Sequence, residues 1–194
     1  MLITDKNLVL KNDIVLLRFP KDSDRDELKE IFSDNEIWKY TISKITTDDE
    51  LGGYFTDAFD GINTGTKYTF VIIENSSGKI AGTSSFGNIS EPDNRLEIGW
   101  SYLGRNFRGK GINSNFKFLM LQYAFEKLGM KRVEFKTDLL NERARKALLK
   151  IGCREEGVLR SHSLKHNGLR RDTVYYSILY PEWEIVKKNF PALV

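Results

Sequence analysis

The glycines and cations of residues 104–113 (GRNFRGKGIN) are the residues whose types and spacing first indicate chemistry. They follow a segment that alternates like a strand and precede one with helical periodicity. A helix start exposes unpaired N–H groups and the positive end of its dipole, so a turn with little side-chain bulk can bring several amides onto a phosphate. Arg108 and Lys110 would add positive charge there. The segment therefore predicts a phosphate-binding turn.

Three interpretations of this turn stand side by side. Residues 104–110 match the G-x-x-x-x-G-K pattern of nucleoside triphosphatases, but Gly111 stands where Ser or Thr should hold magnesium. Residues 109–114 approach a dinucleotide fingerprint but lack its third glycine. The plain alternative is a helix-entry turn with exposed cations, and the turn alone does not decide between that and a phosphate site.

The single cysteine and two histidines offer little further chemistry. Cys153 could act as a covalent nucleophile activated by His162 or His166, but it directly follows the helix stop Gly152, and a free cysteine is usually a small buried hydrophobe. The histidines are spaced i, i+4 in a predicted hairpin, which does not place them on one metal. We therefore expect neither a disulfide nor a metal site.

Length and composition limit the class of protein. A chain of 194 residues with 40% hydrophobic content is long enough for one substantial core, so we expect residues 1–194 to form a single domain. No apolar run approaches the ~20 residues that cross a bilayer, and the first residues lack the apolar core of a secretory signal. We expect a soluble, cytoplasmic protein that binds neither membrane nor nucleic acid, because its 30 basic and 27 acidic residues are well mixed.

The first half of the chain contains the elements that lead up to the turn. Its patterns predict a hairpin, two amphipathic helices and a second hairpin, with Ser23 as N-cap of the first helix and a capping box from Thr47 to Glu50 on the second. Residues 95–103 then alternate as a strand. Alternate positions are predicted to share one of its faces: Leu96, Ile98, Trp100 and Tyr102.

The second half alternates between helices and strands. Asn113 or Ser114 is predicted to open a helix behind the turn, residues 133–137 alternate as a strand, and Asn141 opens another helix. A last hairpin turns at Asn167–Gly168, and a short helix follows. Because hairpins and helical crossovers both join the strands, we expect an α+β fold with a mixed sheet.

The order of these elements carries a resemblance to a known family. A strand, an Arg-x-x-Gly-x-x turn, a helix, a strand and then residues 141–144 (NERA) opening a second helix resemble the GNAT superfamily of acetyltransferases, in the branch similar to RimJ and RimL. The likeness extends over residues 8–185 and includes residues 171–174 (RDTV). It implies the GNAT fold, in which a mostly antiparallel mixed sheet has a splayed strand pair and helices on both faces. It also implies an N-acyltransferase that uses acetyl-CoA.

The resemblance implies a donor site in three parts. The diphosphate of CoA would rest on amides of the turn, and the pantetheine arm on the backbone of the preceding strand, with an Asn near its end. The residues that map onto these contacts are Trp100, Ser101, Tyr102, Leu103, Arg108, Gly109, Lys110, Gly111, Ile112, Asn113 and Asn141. Asn113 departs from the usual Gly or Ala, and it either reaches the phosphates or caps the helix. Asn141 fits a helix N-cap equally well.

Acyl transfer to an amine requires a neutral amine, a polarised carbonyl and a leaving thiolate. Glu97 is the predicted general base, because it lies in an otherwise apolar strand where this family often has Glu; alternatively it pairs with a Lys or Arg. A backbone N–H near Tyr102 or Leu103 would polarise the carbonyl. The family's usual proton donors are replaced by Leu148 and Ala144. Water would then protonate the thiolate, or its pKa near ~8.5 makes protonation scarcely necessary.

The acceptor is expected to be a primary amine, on either a protein N-terminus or a small molecule. Trp38, Tyr40 and Phe86 are predicted to bind it, together with the pair Arg170 and Arg171. We expect a monomer or a homodimer. The alternative function is a non-catalytic CoA-binding regulatory module, which the missing proton donor would explain.

Overall fold

The computed structural model describes residues 2–190, which are organised around one sheet of eight strands. The strands are β1 (Val9–Lys11), β2 (Val15–Arg18), β3 (Tyr68–Glu74), β4 (Ile80–Ser90), β5 (Arg95–Leu103), β6 (Arg132–Asp138), β7 (Arg154–Leu164) and β8 (Arg170–Leu179). Their order in the sheet is β1-β2-β3-β4-β5-β6-β8-β7. Neighbouring strands are antiparallel except β5 and β6, which are parallel. The expected α+β class and mixed sheet are confirmed.

Helices cover both faces of this sheet. They are α1 (Arg25–Phe32), α2 (Asp48–Thr64), α3 (Ile112–Gln122), α4 (Glu142–Lys150) and α5 (Trp183–Lys188). Buried residues of α1 and α2, such as Leu28 and Phe55, form one apolar cluster, and those of α3, α4 and α5 join the larger cluster on the other face. No helix within residues 2–190 is long and apolar enough to cross a membrane. The cytoplasmic location stays a prediction.

Two helix starts show where local sequence rules hold and where they fail. The capping box of α2 is present, because Thr47 Oγ1 accepts from the Glu50 amide at 3.2 Å and the Glu50 carboxylate accepts from the Thr47 amide at 2.9 Å. The prediction of Ser23 as N-cap of α1 is wrong, because Ser23 lies inside a short 3-10 turn and Asp24 directly precedes α1. Asp24 is buried and receives two hydrogen bonds of 2.8 Å from Arg18, so a tertiary ion pair fixes this helix start.

Strand β5 carries a bulge that changes which way its side chains face. Trp100 and Ser101 together lie opposite the single residue Ser84 of β4, and Trp100 has a φ of 48°. One extra residue inverts the alternation of side chains beyond it. The prediction that alternate residues of this strand share one face is therefore wrong: Ile98 packs in the cluster of α3, whereas Tyr102 packs in that of α1 and α2.

Candidate active site

Strands β5 and β6 separate part of the way along their length. Their parallel pairing ends at the register position that joins Glu97 to Glu134. Beyond this point β6 still pairs with β8, so the backbone of residues 98–103 has an open edge towards β6. A cavity of about 560 Å³ lies in this opening and reaches the turn before α3. The opening has the shape expected of a splayed strand pair.

The turn before α3 has free amides next to this cavity, which Gly109 and Asn113 line. Gly109 and Gly111 have φ values of 77° and 76°, which glycine adopts without a Cβ clash. Within the part of the chain that the structure describes, no hydrogen bond engages the amides of residues 109–113. Gly111 is the N-cap of α3, so the predicted helix opening at Asn113 or Ser114 is wrong. Asn113 instead lines the cavity from the first turn of the helix.

Arg108 has a different environment from the rest of the turn. Its amide donates to Arg105 O at 3.3 Å, and its guanidinium donates to Leu103 O and to Asp34 Oδ2, both at 3.0 Å. The residue therefore ties the turn to the end of β5 and to the loop after α1. The side chain of Ile112 is also occupied, because it is buried in the core. The amides of residues 109–113 and the exposed cation of Lys110 are what this turn can offer a phosphate.

The last residues of β5 offer the cavity their backbone more than their aromatic rings. The cavity is lined by residues of this stretch, Trp100, Ser101, Tyr102 and Leu103. The Tyr102 ring packs on Trp38 with centroids 4.9 Å apart, and burial raises the pKa of its hydroxyl to about 12. That phenol therefore stays protonated near neutral pH, and its ring is buried in the cluster of α1 and α2. The open strand edge is suited to hydrogen bonds with an extended amide-containing chain.

Glu97 lies at the point where the two strands part, and only 6% of it is exposed. Its Oε2 atom is 2.8 Å from Lys136 Nζ and accepts from Asn88 Nδ2 at 2.6 Å. Although burial lowers it, the hydrogen bond and charge of Glu97 raise the pKa of Lys136 above its usual value. The pairing with a cation that the sequence left open is therefore formed. All three side chains line the cavity.

The structure does not bring Trp38 and Phe86 to the cavity. The ring of Trp38 is 1% exposed, packs edge-on against Phe32 and donates its indole N–H to Phe32 O at 2.8 Å. Phe86 is fully buried and stacks on Tyr123. Both predictions of an acceptor contact are corrected, because each ring gains more from burial in an apolar core than from lining a polar cleft.

Tyr40 and Arg171 line the cavity, and their contact with an acceptor stays a prediction. Arg171 donates from Nε to Thr173 Oγ1 at 3.0 Å and from Nη1 to Tyr40 O at 3.3 Å. Burial lowers the pKa of this guanidinium, and no carboxylate within residues 2–190 lies in ion-pairing distance of it. Arg170 points elsewhere, because its Nε donates to Ser161 Oγ at 2.9 Å. Of the two predicted arginines, Arg171 thus lines the cavity and Arg170 does not line it.

Asn141 is the N-cap of a helix and also lines the cavity. Its side chain accepts from the Ala144 amide at 3.1 Å, which makes it the N-cap of α4, and it lines the cavity. Ala144 and Leu148 follow along α4 and line the same cavity. Neither side chain has a proton to give.

Lys117 and Ser101 form a contact that the sequence analysis missed. Lys117 is 5% exposed on α3, and its Nζ donates to Ser101 Oγ at 2.8 Å. Burial lowers the pKa of Lys117 to about 7, although Cys153 and Glu97 act in the opposite direction. The signal was present in the sequence, since Lys117 is the only charge in the run FKFLML, where a helix must bury its neighbours.

The cysteine and the histidines all have neighbouring contacts in this arrangement, and His162 also lines the cavity. Burial raises the pKa of the Cys153 thiol to about 12, so no thiolate is available for covalent catalysis. His162 lies 3.1 Å from Thr173 Oγ1, and His166 lies 3.1 Å from Trp38 O. Among the described residues, no group of three or more His, Cys, Asp or Glu side chains could hold a metal ion.

Comparisons with known proteins agree with this geometry. A sequence model described as the acetyltransferase (GNAT) domain matches residues 15–154. "Putative ribosomal N-acetyltransferase YdaF" of Bacillus subtilis is 37% identical over 107 residues, which span 55% of this chain and 57% of that relative. The uncharacterized N-acetyltransferase p20 of Bacillus licheniformis is 30% identical over 175 residues, which span 90% of this chain and 97% of the relative. A GCN5-related N-acetyltransferase from Brucella melitensis superposes with a TM-score of 0.88 at 26% identity, over 98% of this chain and 87% of that one.

Proposed function

The chain belongs to the GNAT family and is an N-acetyltransferase; we propose that it transfers acetyl from acetyl-CoA to a primary amine by direct attack in a ternary complex. The observation that carries this proposal is one cavity that is lined by Gly109 and Asn113 of the turn, by the open edge of β5 and by Glu97. Acetyl-CoA is the co-substrate of the family. We also propose that residues 1–194 form one domain of the RimJ/RimL-like branch.

The donor half of the cavity fits the parts of CoA in order. The amides of residues 109–113 receive the diphosphate, where the helix dipole and the exposed Lys110 favour negative charge. The pantetheine arm has amide groups that can pair with the open edge of residues 98–103, as a strand would. Asn141 lines the cavity at the start of α4, where the thioester end of the arm arrives.

The acceptor amine approaches from the side of Glu97. An alkyl ammonium has a pKa near ~10 and must lose a proton before it attacks, and a carboxylate at the cavity wall takes that proton directly or through water. Lys136 and Asn88 both bond Oε2 of Glu97, which leaves Oε1 for the amine or the water. A backbone N–H of β5 near Tyr102 or Leu103 stabilises the oxyanion that develops on the carbonyl.

The acceptor class is a protein N-terminus or a small amine. The name of the Bacillus subtilis relative supports testing ribosomal-protein N-termini. The unpaired guanidinium of Arg171 favours acceptors with a carboxylate or a carbonyl near the amine, since it has donors left to offer.

A binding measurement and a turnover measurement together test the proposal. Acetyl-CoA should raise the melting temperature, whereas ATP with magnesium should not, because only a ligand of the native state stabilises it. CoA thiol release should then appear with at least one member of a panel of N-terminal peptides and small primary amines. Stabilisation by ATP alone, or binding of acetyl-CoA without thiol release across the panel, would count against the proposed reaction.

A further inference from the structure

Lys117 is a buried cation that the proposed reaction has not yet used. Its Nζ lies 5.1 and 5.3 Å from the ring centroids of Phe116 and Phe135 and makes one hydrogen bond, to Ser101 Oγ. Within residues 2–190, no carboxylate lies in ion-pairing distance of it. A lysine that is buried without an acidic partner pays a large desolvation penalty in its charged form. Such a penalty at a cavity wall calls for a functional explanation.

The position of Lys117 places it on the donor side of the reaction. It lies five residues beyond the first residue of α3, which is about 7.5 Å along the helix axis from the phosphate end. It lines the same cavity as Leu148 and Ala144, the two positions from which a proton donor is missing. The proposed reaction already uses Glu97 of β5 for the amine. The leaving sulfur is therefore the reacting group that still has no assigned proton donor.

Ser101 connects Lys117 to the cavity. The bulge at Trp100 turns the Ser101 hydroxyl towards α3, where its Oγ accepts from Lys117 and lies 2.8 Å from Ser84 Oγ. If Ser84 donates that bond, the Ser101 hydrogen has only Gly99 O as an acceptor, at 3.4 Å. A hydroxyl that accepts two hydrogen bonds and keeps a weakly held hydrogen is arranged to donate to a ligand in the cavity.

From this geometry we infer that Lys117, acting through the Ser101 hydroxyl, protonates the CoA thiolate as it leaves; the inference rests on the proposed acetyl transfer. When the amine nitrogen has attacked the thioester carbon, the C–S bond breaks and sulfur keeps the electron pair. The sulfur takes the hydrogen of Ser101 Oγ, and Ser101 takes a proton from the Lys117 ammonium. Lys117 is left neutral and regains a proton from water in the cavity after CoA departs.

Proton affinities favour this direction of transfer. Burial lowers the pKa of Lys117 to about 7, below the ~8.5 of a thiol, so the transfer is downhill by roughly 30-fold. An ordinary lysine near ~10.4 would make it uphill by about 100-fold. The titratable groups that act on Lys117 are Glu97 on β5 and Cys153 after α4, and both raise its pKa. The apolar burial of this lysine is thus what suits it to the task.

The experiment compares Lys117→Met, Lys117→Arg and Ser101→Ala with wild type and with Lys146→Met, a surface control on α4. Acetyl-CoA is the donor, and the acceptor is the panel member that wild type uses fastest. We expect kcat of wild type to fall as pH rises above about 7, because the donor form of Lys117 is lost. Lys117→Met should lower kcat by about 100-fold near neutral pH and abolish this basic limb. The KM for acetyl-CoA should stay within about twofold, since general acid catalysis acts on the chemical step.

The arginine variant separates proton transfer from simple positive charge. Arg keeps a cation beside Ser101 but cannot release a proton, so it should not restore kcat. Ser101→Ala should lower kcat and leave a weaker basic limb. A rate near that of wild type in Lys117→Arg, or an unchanged basic limb in Lys117→Met, would overturn the inference while acetyl transfer stands. Absence of turnover by wild type would overturn both, and titration of the Lys117 side chain by NMR in the same protein would show which premise failed.

Discussion

Lys136 Nζ lies 2.8 Å from Glu97 Oε2, just beyond the register position where β5 and β6 cease to pair. The ion pair thus bridges the two strands at the start of the opening. It holds the carboxylate in one orientation, and Asn88 holds the same oxygen from β4. A base fixed in this way presents its other oxygen to the cavity at little cost in side-chain entropy.

Replacement of Glu97 by Gln removes the proposed base and keeps its shape. We expect kcat to fall by about 100-fold or more, because an amide cannot take the proton of the acceptor. Acetyl-CoA affinity, measured by calorimetry, should be unchanged, since the proposed partner of the carboxylate is the acceptor amine and not the donor. Glu142→Gln on the exposed side of α4 is the matched control. Turnover within about twofold of wild type would assign Glu97 a structural ion pair only.

Asn113→Ala and Asn141→Ala should separate ligand binding from helix capping. Asn141 caps α4, so its loss should lower stability by about 1 kcal/mol and Tm by about 2–4 °C. Asn113 lies inside α3 behind the N-cap Gly111, so its loss should leave Tm nearly unchanged and weaken acetyl-CoA binding. Thermal unfolding and calorimetry of both variants test this contrast. Equal Tm losses would contradict the assignment of Asn113 to the ligand.

Gly87→Ala should disturb the bulge of β5 from the neighbouring strand. A Cβ at position 87 would lie 2.5 Å from the ring of Trp100, so the ring must move. We expect a loss of about 1–3 kcal/mol in the free energy of unfolding from overpacking, together with reduced turnover. Gly53→Ala in α2, where a Cβ meets nothing within 4 Å, is the control and should be neutral or stabilising. Urea unfolding of the two variants measures the difference, and similar values would argue against a tight Gly87–Trp100 contact.

The burial of Lys117 predicts how stability changes with pH. Its pKa of about 7 in the folded protein is below the value of the unfolded chain, near ~10.4. Between these values the unfolded chain binds one more proton, so this group makes the free energy of unfolding rise with pH. The free energy of unfolding of Lys117→Met should therefore exceed that of wild type by the largest amount at about pH 6.5. This difference should be smaller at about pH 9.5. Urea titrations at both pH values measure the difference, and a constant difference would refute the buried, neutral-leaning amine.

Cys153 should resist thiol reagents in the native protein. Its pKa of about 12 and its 4% exposure leave no thiolate at pH values near 8, so iodoacetamide should modify it only after unfolding. Cys153→Ala should retain kcat, because the proposed direct transfer places no acetyl group on this sulfur. Mass spectrometry after timed alkylation, with an unfolded sample as reference, tests the first point. Rapid native labelling together with loss of activity would revive the covalent alternative.

Strong local signals predicted the framework of this protein from its sequence. The bounds of β5, the capping box at Thr47 and the N-cap Asn141 depend on residues close together in the chain, and all three are present in the structure. The glycine turn was also predicted, from its low side-chain bulk before a helix, and Gly109 and Gly111 have positive φ in the structure. Local pattern and local conformation agree at these positions.

The errors lie where a distant segment decides the outcome. The bulge at Trp100 depends on how β4 aligns with β5, and the sequence of β5 alone does not predict it. The same register places the Ser101 hydroxyl beside Lys117, so that contact could not be predicted from strand alternation. Trp38 and Phe86 were assigned to the acceptor site because aromatic residues occur both in cores and in binding sites. The sequence alone does not distinguish the two environments, and both rings are buried in the core.

The hydrogen bonds of Arg108 have a consequence for how substrates meet the protein. The Arg108 guanidinium connects the glycine turn to the end of β5 and to the loop of Asp34. That loop continues to Tyr40, which lines the cavity. Arginine stays charged at all physiological pH values, so the donor side of these contacts does not depend on pH. The loop is therefore tied down in the folded protein before a ligand arrives. Ligand binding then loses less conformational entropy in this loop. Each arriving ligand finds a rim that is already preorganised.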